Sequence, residues 1–338
     1  MEQSPTPGSL MNPVIAVLIP CHNEEAAIGK VVGDFKEALP DATIFVYDNN
    51  CTDRTADIAR KAGAIVRQES QPGKGNVVRR MFADIEADVF VLVDGDDTYD
   101  ASAAPALIDR LLTSSLDMIN ASRVETCQAA YRPGHRFGNR FLTGVVASVF
   151  GKRLGDMLSG YRVFSRRFVK SFPSLSSGFE IETELTVHAL ELRLPIAEVP
   201  VPYRDRPEGS VSKLRTYSDG FRILRMIIRL IKEEKPLQFF SFFFFVLSIT
   251  AIILEIPIFI EYFETGLVRR FPTAILGTGM MLLAFLSLTC GLILDTVTRG
   301  RIELKRLQYL SVPLRFNPPR ITPTRVPALK LPGVRMRG

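Results

Sequence analysis

Residues 89–100 read VFVLVDGDDTYD. Five apolar residues, Val89 to Val93, run into four carboxylates within seven positions: Asp94, Asp96, Asp97 and Asp100. Like charges this close repel unless a cation neutralises them. Asp94-Gly95-Asp96 could supply that cation's ligands, because a divalent ion such as Mg2+ takes one or two carboxylates and completes its shell with phosphate oxygens. The alternative is an Asp-rich turn capping a helix near residue 102, a use that suits Asp97 and Asp100. Twenty residues upstream, Lys74 sits in Gln71-Pro72-Gly73-Lys74-Gly75. This is not the G-x-x-x-x-G-K-[ST] loop. A Gly-Lys-Gly turn opening a helix still presents backbone N–H groups and an ammonium to phosphate.

Further cations follow at Arg123, Arg132, Arg136, Arg140, Arg206 and Lys213. They suit an anionic ligand; an ordinary basic loop is the alternative for 132–140. Glu180, Glu182 and Glu184 alternate, as at a strand edge or a helix start. His22, His135 and His188 are isolated from one another and read as structural. Cys21, Cys51, Cys127 and Cys290 are scattered, with no C-x-x-C pair. Zinc and a disulfide framework are therefore not expected, and a reducing compartment fits.

The elements that must position these groups alternate in type. VIAVLI (14–19), TIFVY (43–47), AIV (64–66), VFVLV (89–93) and MINA (118–121) read as strands. Residues 25–38, 54–62, 75–86 and 102–113 have helical spacing between them. Repeated βα units predict a mostly parallel sheet covered by helices. Ligands of such sheets bind beyond the carboxyl ends of the strands. Pro20-Cys21-His22-Asn23-Glu24, Asp48-Asn49-Asn50 and Asp94-Gly95-Asp96 all fall there.

The second half differs. In 216–235, Arg222, Arg225, Arg229 and Lys232 fall in an arc of about 80°, with apolar residues around the rest. That pattern suits an interfacial membrane helix, with a core helix as the alternative. Residues 236–254 carry no charge, and 271–294 are 24 consecutive uncharged residues, against the ~20 needed to span a bilayer. Arg and Lys crowd the outer flanks of this pair, so the positive-inside rule places both flanks in the cytoplasm. Mean hydropathy is +0.14, in keeping with a membrane part. The net charge of +6 is uneven: residues 311–338 hold six Lys/Arg, six Pro and no acid, as in a disordered basic tail. The N-terminus has neither a basic n-region nor an apolar h-region. The expected organisation is a leader over 1–12, an α/β catalytic domain over 13–215, and an interfacial helix over 216–235. A transmembrane hairpin over 236–298 and a basic tail over 299–338 complete it.

IPCHNEE (19–25), YDNNCTDRT (47–55), GKG (73–75) and DGD (94–96) resemble, in order and spacing, family 2 glycosyltransferases. SGYRVFSRR (159–167), GFEIETEL (178–185) and RPEGSVSKL (206–214) resemble the polyprenyl-phosphate branch, which includes dolichyl-phosphate mannose synthase and members with a C-terminal membrane hairpin. The resemblance covers roughly 13–235. It implies a GT-A fold and an inverting, metal-dependent enzyme of the cytoplasmic membrane, its catalytic domain facing the cytoplasm. Such an enzyme moves a sugar from a nucleotide sugar, UDP rather than GDP, to a polyprenyl phosphate. Its product would serve envelope glycan, lipopolysaccharide or glycoprotein modification. Hexose, N-acetylhexosamine and uronic acid all remain open, as does homo-oligomerisation; no nucleic-acid partner is expected. Carried over by motif, Pro20, Asn23, Glu24 and Asp48 hold base and ribose, and Lys74 lies near the nucleotide. Asp94 and Asp96 bind Mg2+ or Mn2+ and the diphosphate. Arg123, Glu182, Arg206, Ser212 and Lys213 face the acceptor, joined by Arg136. One departure stands out: many relatives have a second acid where this chain has Asn49. A hydroxyl acceptor, or a membrane scaffold without catalysis, are the alternatives.

Overall fold

The computed structural model describes residues 12–125, 155–178, 180–204 and 231–313, together with 144, 225, 228 and 229. Seven strands form one sheet in the order β3-β2-β1-β4-β6-β5-β7. They are β1 (Ile15–Cys21), β2 (Thr43–Asp48), β3 (Ile65–Gln68), β4 (Val89–Leu92), β5 (Met118–Glu125), β6 (Arg162–Ser165) and β7 (Ile196–Tyr203). All neighbours are parallel except across β6, which is antiparallel to both β4 and β5. The βα repeat predicted the first five strands. β6 and β7 lie where periodicity carried no signal.

Helices α1 (Ile28–Ala38), α2 (Thr55–Lys61) and α4 (Ala104–Thr113) cover one face, and α3 (Lys74–Asp84), α5 (Arg166–Ser171) and α6 (Ile181–Glu191) the other. β4 shows why its sequence is continuously apolar. Val89, Val91 and Val93 enter the first core with Ile28, Val32 and Phe35, while Phe90 and Leu92 enter the second with Met81, Phe82 and Phe168. A central strand buried on both faces has no solvent side on which to place a polar residue. The alternating glutamates prove to belong to a helix, since Glu182 and Glu184 occupy the first turn of α6.

Two long helices complete the chain, α7 (Pro236–Thr265) and α8 (Phe271–Ser311). Both are long and apolar enough to cross a membrane. Their outward side chains, Phe242, Phe245, Ile253, Phe259, Leu282 and Leu283 among them, are exposed. A face this apolar is costly in water and needs a lipid or protein cover. Along the seam, Gly277, Ala284 and Gly291 of α8 are buried at seven-residue intervals. Small residues let the two backbones approach, and Ser287 donates to the Phe240 carbonyl across the seam at 3.0 Å.

The expected end of the hairpin at residue 298 is not where the helix stops. Residues 299–311 continue α8 without a break and dock on the α/β unit. Ile302 and Tyr309 pack against the second core, and Lys305 pairs with Glu191 at 2.5 Å. Composition marked this stretch as basic; only its docking partners make it structural. The Pro-rich remainder of the expected tail and most of the expected interfacial helix lie outside the described residues.

Candidate active site

The carboxyl ends of β1, β2 and β4 surround a cleft of about 270 Å3. Pro20, Glu24, Lys74, Asp94 and Asp96 of the expected donor site line it, with Cys21, His22, Asn49, Asn50, Pro72, Gly73, Val77 and Gly95. Asn23 and Asp48 are not part of that lining. Asn23 (φ 54°) accepts from the Thr52 amide at 2.8 Å, and Asp48 from the Cys51 amide at 2.7 Å. Both shape the loops that form the cleft wall.

Lys74 is the electrostatic centre. Its Nζ donates to Asp94 Oδ1 at 2.5 Å and to Glu182 Oε1 at 2.6 Å. Burial alone disfavours its charge, but the two carboxylates outweigh this and hold its pKa above the ordinary lysine range. Glu182, expected on the acceptor side, is thus tied to the Gly-Lys-Gly turn, and its Oε2 is buried with no hydrogen-bond partner among the described residues. Two glycines permit this union. A Cβ on Gly73 or Gly75 would collide with the carbonyls of Ser177 or Ser176, in the loop leading into α6. Glu184 holds that loop, accepting from the amides of Leu175 (2.7 Å) and Ser176 (2.8 Å).

The four acids of VFVLVDGDDTYD divide by geometry. Asp94 and Asp96 face the cleft. Asp96 Oδ1 accepts from the Thr98 hydroxyl at 2.6 Å, which fixes its rotamer. Asp97 pairs with Lys30 at 2.7 Å, and Asp100 caps the following turn through the Ser102 amide at 3.1 Å. Gly160 faces Asp94 Oδ2 so closely that a Cβ there would displace the carboxylate. No cluster of three or more metal-ligating side chains occurs among the described residues. Two cleft-facing carboxylates beside space kept open by a glycine nevertheless fit an ion that draws its other ligands from a diphosphate.

Asn49 stands where the resemblance leads one to expect an acid. It is 7% exposed, and its amide donates to the carbonyls of Glu69 (2.8 Å) and Gln71 (2.7 Å). Its Oδ1 accepts from the Gly73 amide at 2.8 Å. Its own carbonyl accepts from His22 Nδ1 at 2.8 Å. One side chain therefore clamps the turn that carries Lys74, and an aspartate could not supply the two donors. The signal was present in the sequence as the departure from the acidic pattern.

Outside the cleft lining, on β5, Arg123 donates to Asp156 from Nε (2.7 Å) and Nη2 (2.8 Å), and its guanidinium lies 5.6 Å from the Tyr203 ring centre. Burial works against the Asp156 charge, yet the Arg123 bonds keep its carboxyl below the usual range. Arg162, fully buried, donates to the carbonyls of Ser159 (3.0 Å) and Met157 (2.6 Å) and to the Thr186 hydroxyl (2.8 Å). It thereby ties the Gly160 segment to α6. The sequence quoted Arg162 within a motif without giving it this role. Burial pushes the His188 imidazole down to about 3, so that ring is neutral and structural. Arg136, Arg206, Ser212 and Lys213, expected to meet the acceptor, lie outside the described residues.

The fold and cleft define an α/β protein with a cleft at the carboxyl ends of its strands. The glycosyl transferase family 2 profile matches residues 16–172. Glycosyltransferase AglJ of Haloferax volcanii is 31% identical over 314 residues, covering 91% of this chain and 100% of that one. An uncharacterised protein of Shigella flexneri is 59% identical over 155 residues, 46% of this chain and 95% of its own. A dolichyl-phosphate hexose transferase of Haloferax volcanii is 28% identical over 221 residues, 65% of this chain and 95% of its own. Among solved structures, glucosyl-3-phosphoglycerate synthase from Mycobacterium tuberculosis, in complex with Mn2+, UDP and its glucosylated product, superposes with a TM-score of 0.54 at 24% identity. The match covers 65% of this chain and 79% of that one. The chain belongs to glycosyltransferase family 2 and has the GT-A fold. It is an enzyme related to polyprenyl-phosphate sugar transferases.

Proposed function

We propose that this chain transfers a sugar from a UDP-sugar to a polyprenyl phosphate at the cytoplasmic face of the inner membrane, with inversion at the anomeric carbon. The observation that carries this reading is the joining, in one chain, of the Asp94/Asp96/Lys74 cleft to two helices with exposed apolar faces. The basic flanks of those helices support a cleft on the cytoplasmic side, where nucleotide sugars are made. Pro20, Glu24 and the Asn49-clamped turn would border the nucleoside.

A lipid phosphate is largely a dianion at neutral pH and already a nucleophile. The protein therefore needs to hold it in line rather than deprotonate it. Arg123, Arg206, Ser212, Lys213 and Arg136 are the groups we assign to that task. Asp94 and Asp96 would hold Mg2+ or Mn2+, which when bound supplies positive charge against the departing diphosphate. Lys74 keeps Asp94 and Glu182 in place through two short ion pairs. The pairing also supports a phosphate acceptor over a hydroxyl. A hydroxyl would need a general base, and Glu182 is 6% exposed with Oε1 committed to Lys74.

The decisive experiment incubates membranes containing the protein with radiolabelled nucleotide sugars, with and without EDTA, followed by mass spectrometry of the lipid extract. We expect a labelled polyprenyl-phosphate sugar that disappears with EDTA and in Asp96→Ala. Label confined to an acid-stable polymer would overturn the reading.

A further inference from the structure

The last three turns of α8 dock on the α/β unit by one side only. Ile302 and Tyr309 pack on the second core, and Lys305 pairs with Glu191. At about 100° of rotation per residue, Leu304 and Leu307 fall on the opposite side of the helix, and both are exposed. Arg299, Arg301, Glu303, Lys305 and Arg306 surround them in the sequence. This stretch shares the water of the domain it docks on, so no hydrocarbon covers the two leucines. Exposed apolar side chains grouped on one helix face in water mark an interaction surface.

The stripe begins well before Leu304. Leu283, Leu286, Ile293, Val297, Leu304 and Leu307 are each between 56% and 69% exposed. With Cys290 and Gly300 between them, their spacing alternates by three and four residues from 283 to 307. That is the seam of a left-handed coiled coil. Gly300 lies on it, and so does Gly279, one heptad before Leu286. An added Cβ at either glycine would meet nothing within 4 Å, so both face outward, where a second backbone can approach. The seam with α7, through Gly277, Ala284 and Gly291, lies on the other side of α8. α8 therefore carries two heptad seams, and its own chain fills one.

We infer that the second seam pairs with the same seam of another copy of this chain, as a parallel two-helix contact. Two copies inserted in one bilayer have the same end in the cytoplasm, so equal positions meet at equal depth. A surface that meets itself about a two-fold axis has to be self-complementary. A repeat of Leu, Ile and Val interrupted by glycine satisfies that condition. From Leu283 to Leu307 the seam is about 36 Å long. Lipid accounts for its first half only, because it continues for twelve residues past Asp295, the first charge after the apolar run. A second copy covers both halves with one contact. The α/β unit docks on the far side of α8 and leaves the seam clear.

The inference rests on membrane insertion of the hairpin, as proposed above, and its test separates the two. The full chain with Cys290→Ser receives either Leu307→Cys on the seam or Arg306→Cys on its flank, and membranes are oxidised with copper phenanthroline. We expect at least fivefold more disulfide-linked dimer from Leu307→Cys; equal amounts from the two variants overturn the pairing. The wild-type chain, extracted together with its surrounding lipid, is also counted by native mass spectrometry. Two copies are expected, and one copy in the Leu304→Glu, Leu307→Glu double variant. A wild-type chain that is monomeric in lipid, or a dimer that survives both glutamates, overturns the pairing and leaves the transfer reaction standing. A chain that does not enter membranes overturns the pairing and the membrane reading together.

Discussion

Asn49 and Lys74 act on the same turn by different physics. Asn49 satisfies two carbonyls and one amide of the Glu69–Gly73 stretch, so Asn49→Asp removes two donors at a buried position. Losing these two part-buried hydrogen bonds costs about 1–2 kcal/mol. UDP affinity, measured by calorimetry, should fall about tenfold, and more in Asn49→Asp than in Asn49→Ser. Lys74 instead offsets two carboxylates. Lys74→Met leaves Asp94 and Glu182 facing each other without a cation. It should cost about 3 kcal/mol, visible as a lower midpoint in denaturant. A wild-type midpoint in that variant would mean that the ion pairs carry no net stability. Such roles were only half legible in the sequence. The residue types announced phosphate and metal chemistry, but which carboxylate meets Lys74 depends on a contact across 108 positions.

At the scale of elements, the junction between α6 and the hairpin is the feature that periodicity could not reveal. Glu191 and Glu234 come together beside Arg301 and Lys305, and each keeps one buried carboxylate oxygen without a partner among the described residues. Burial first, and then the neighbouring Glu191, push the Glu234 carboxyl up to about 7, while Arg301 and Lys305 oppose this. A proton shared by the two acids would satisfy both orphaned oxygens. The folded protein therefore holds that proton more tightly than the unfolded chain, whose carboxyl titrates near 4.5. Stability contributed here is full below that value and declines as pH rises toward 7. Melting in detergent should shift downward between pH 5 and 7.5, and Glu234→Gln should flatten the slope. An unaltered slope in that variant would remove Glu234 as its source. Within the hairpin, Gly291 meets Phe240 closely enough that an added Cβ would lie 2.9 Å from its Cβ. Gly291→Leu should push the two helices apart, read as faster proteolysis of the loop around Gly266.

For the whole molecule, the α/β unit and the long helix α8 share one core. Ile302 and Tyr309 pack on the cluster formed by α3, α5 and α6. A chain ending at residue 235 would uncover that patch and lose the Lys305 and Tyr309 contacts. It should melt lower than the full chain in the same detergent and bind an apolar dye; equal melting would mean that α8 is only an anchor.

The sequence by itself determined the local patterns. These were the βα alternation, the carboxylates at strand ends, the glycines around Lys74 and two apolar runs of spanning length. Each follows from short-range rules: side-chain periodicity, charge repulsion and backbone freedom. The tertiary structure alone decided which of those groups meet. It paired Lys74 with Glu182, gave Asn49 its three partners and carried α8 past the expected boundary to dock on α5 and on Glu191 at the end of α6. The Asn49 contacts span 20 to 24 positions, the Lys74–Glu182 pair 108, and the α8 contacts 114 and 192. No local pattern encodes which distant partner will satisfy a buried charge; the packing of the finished core does.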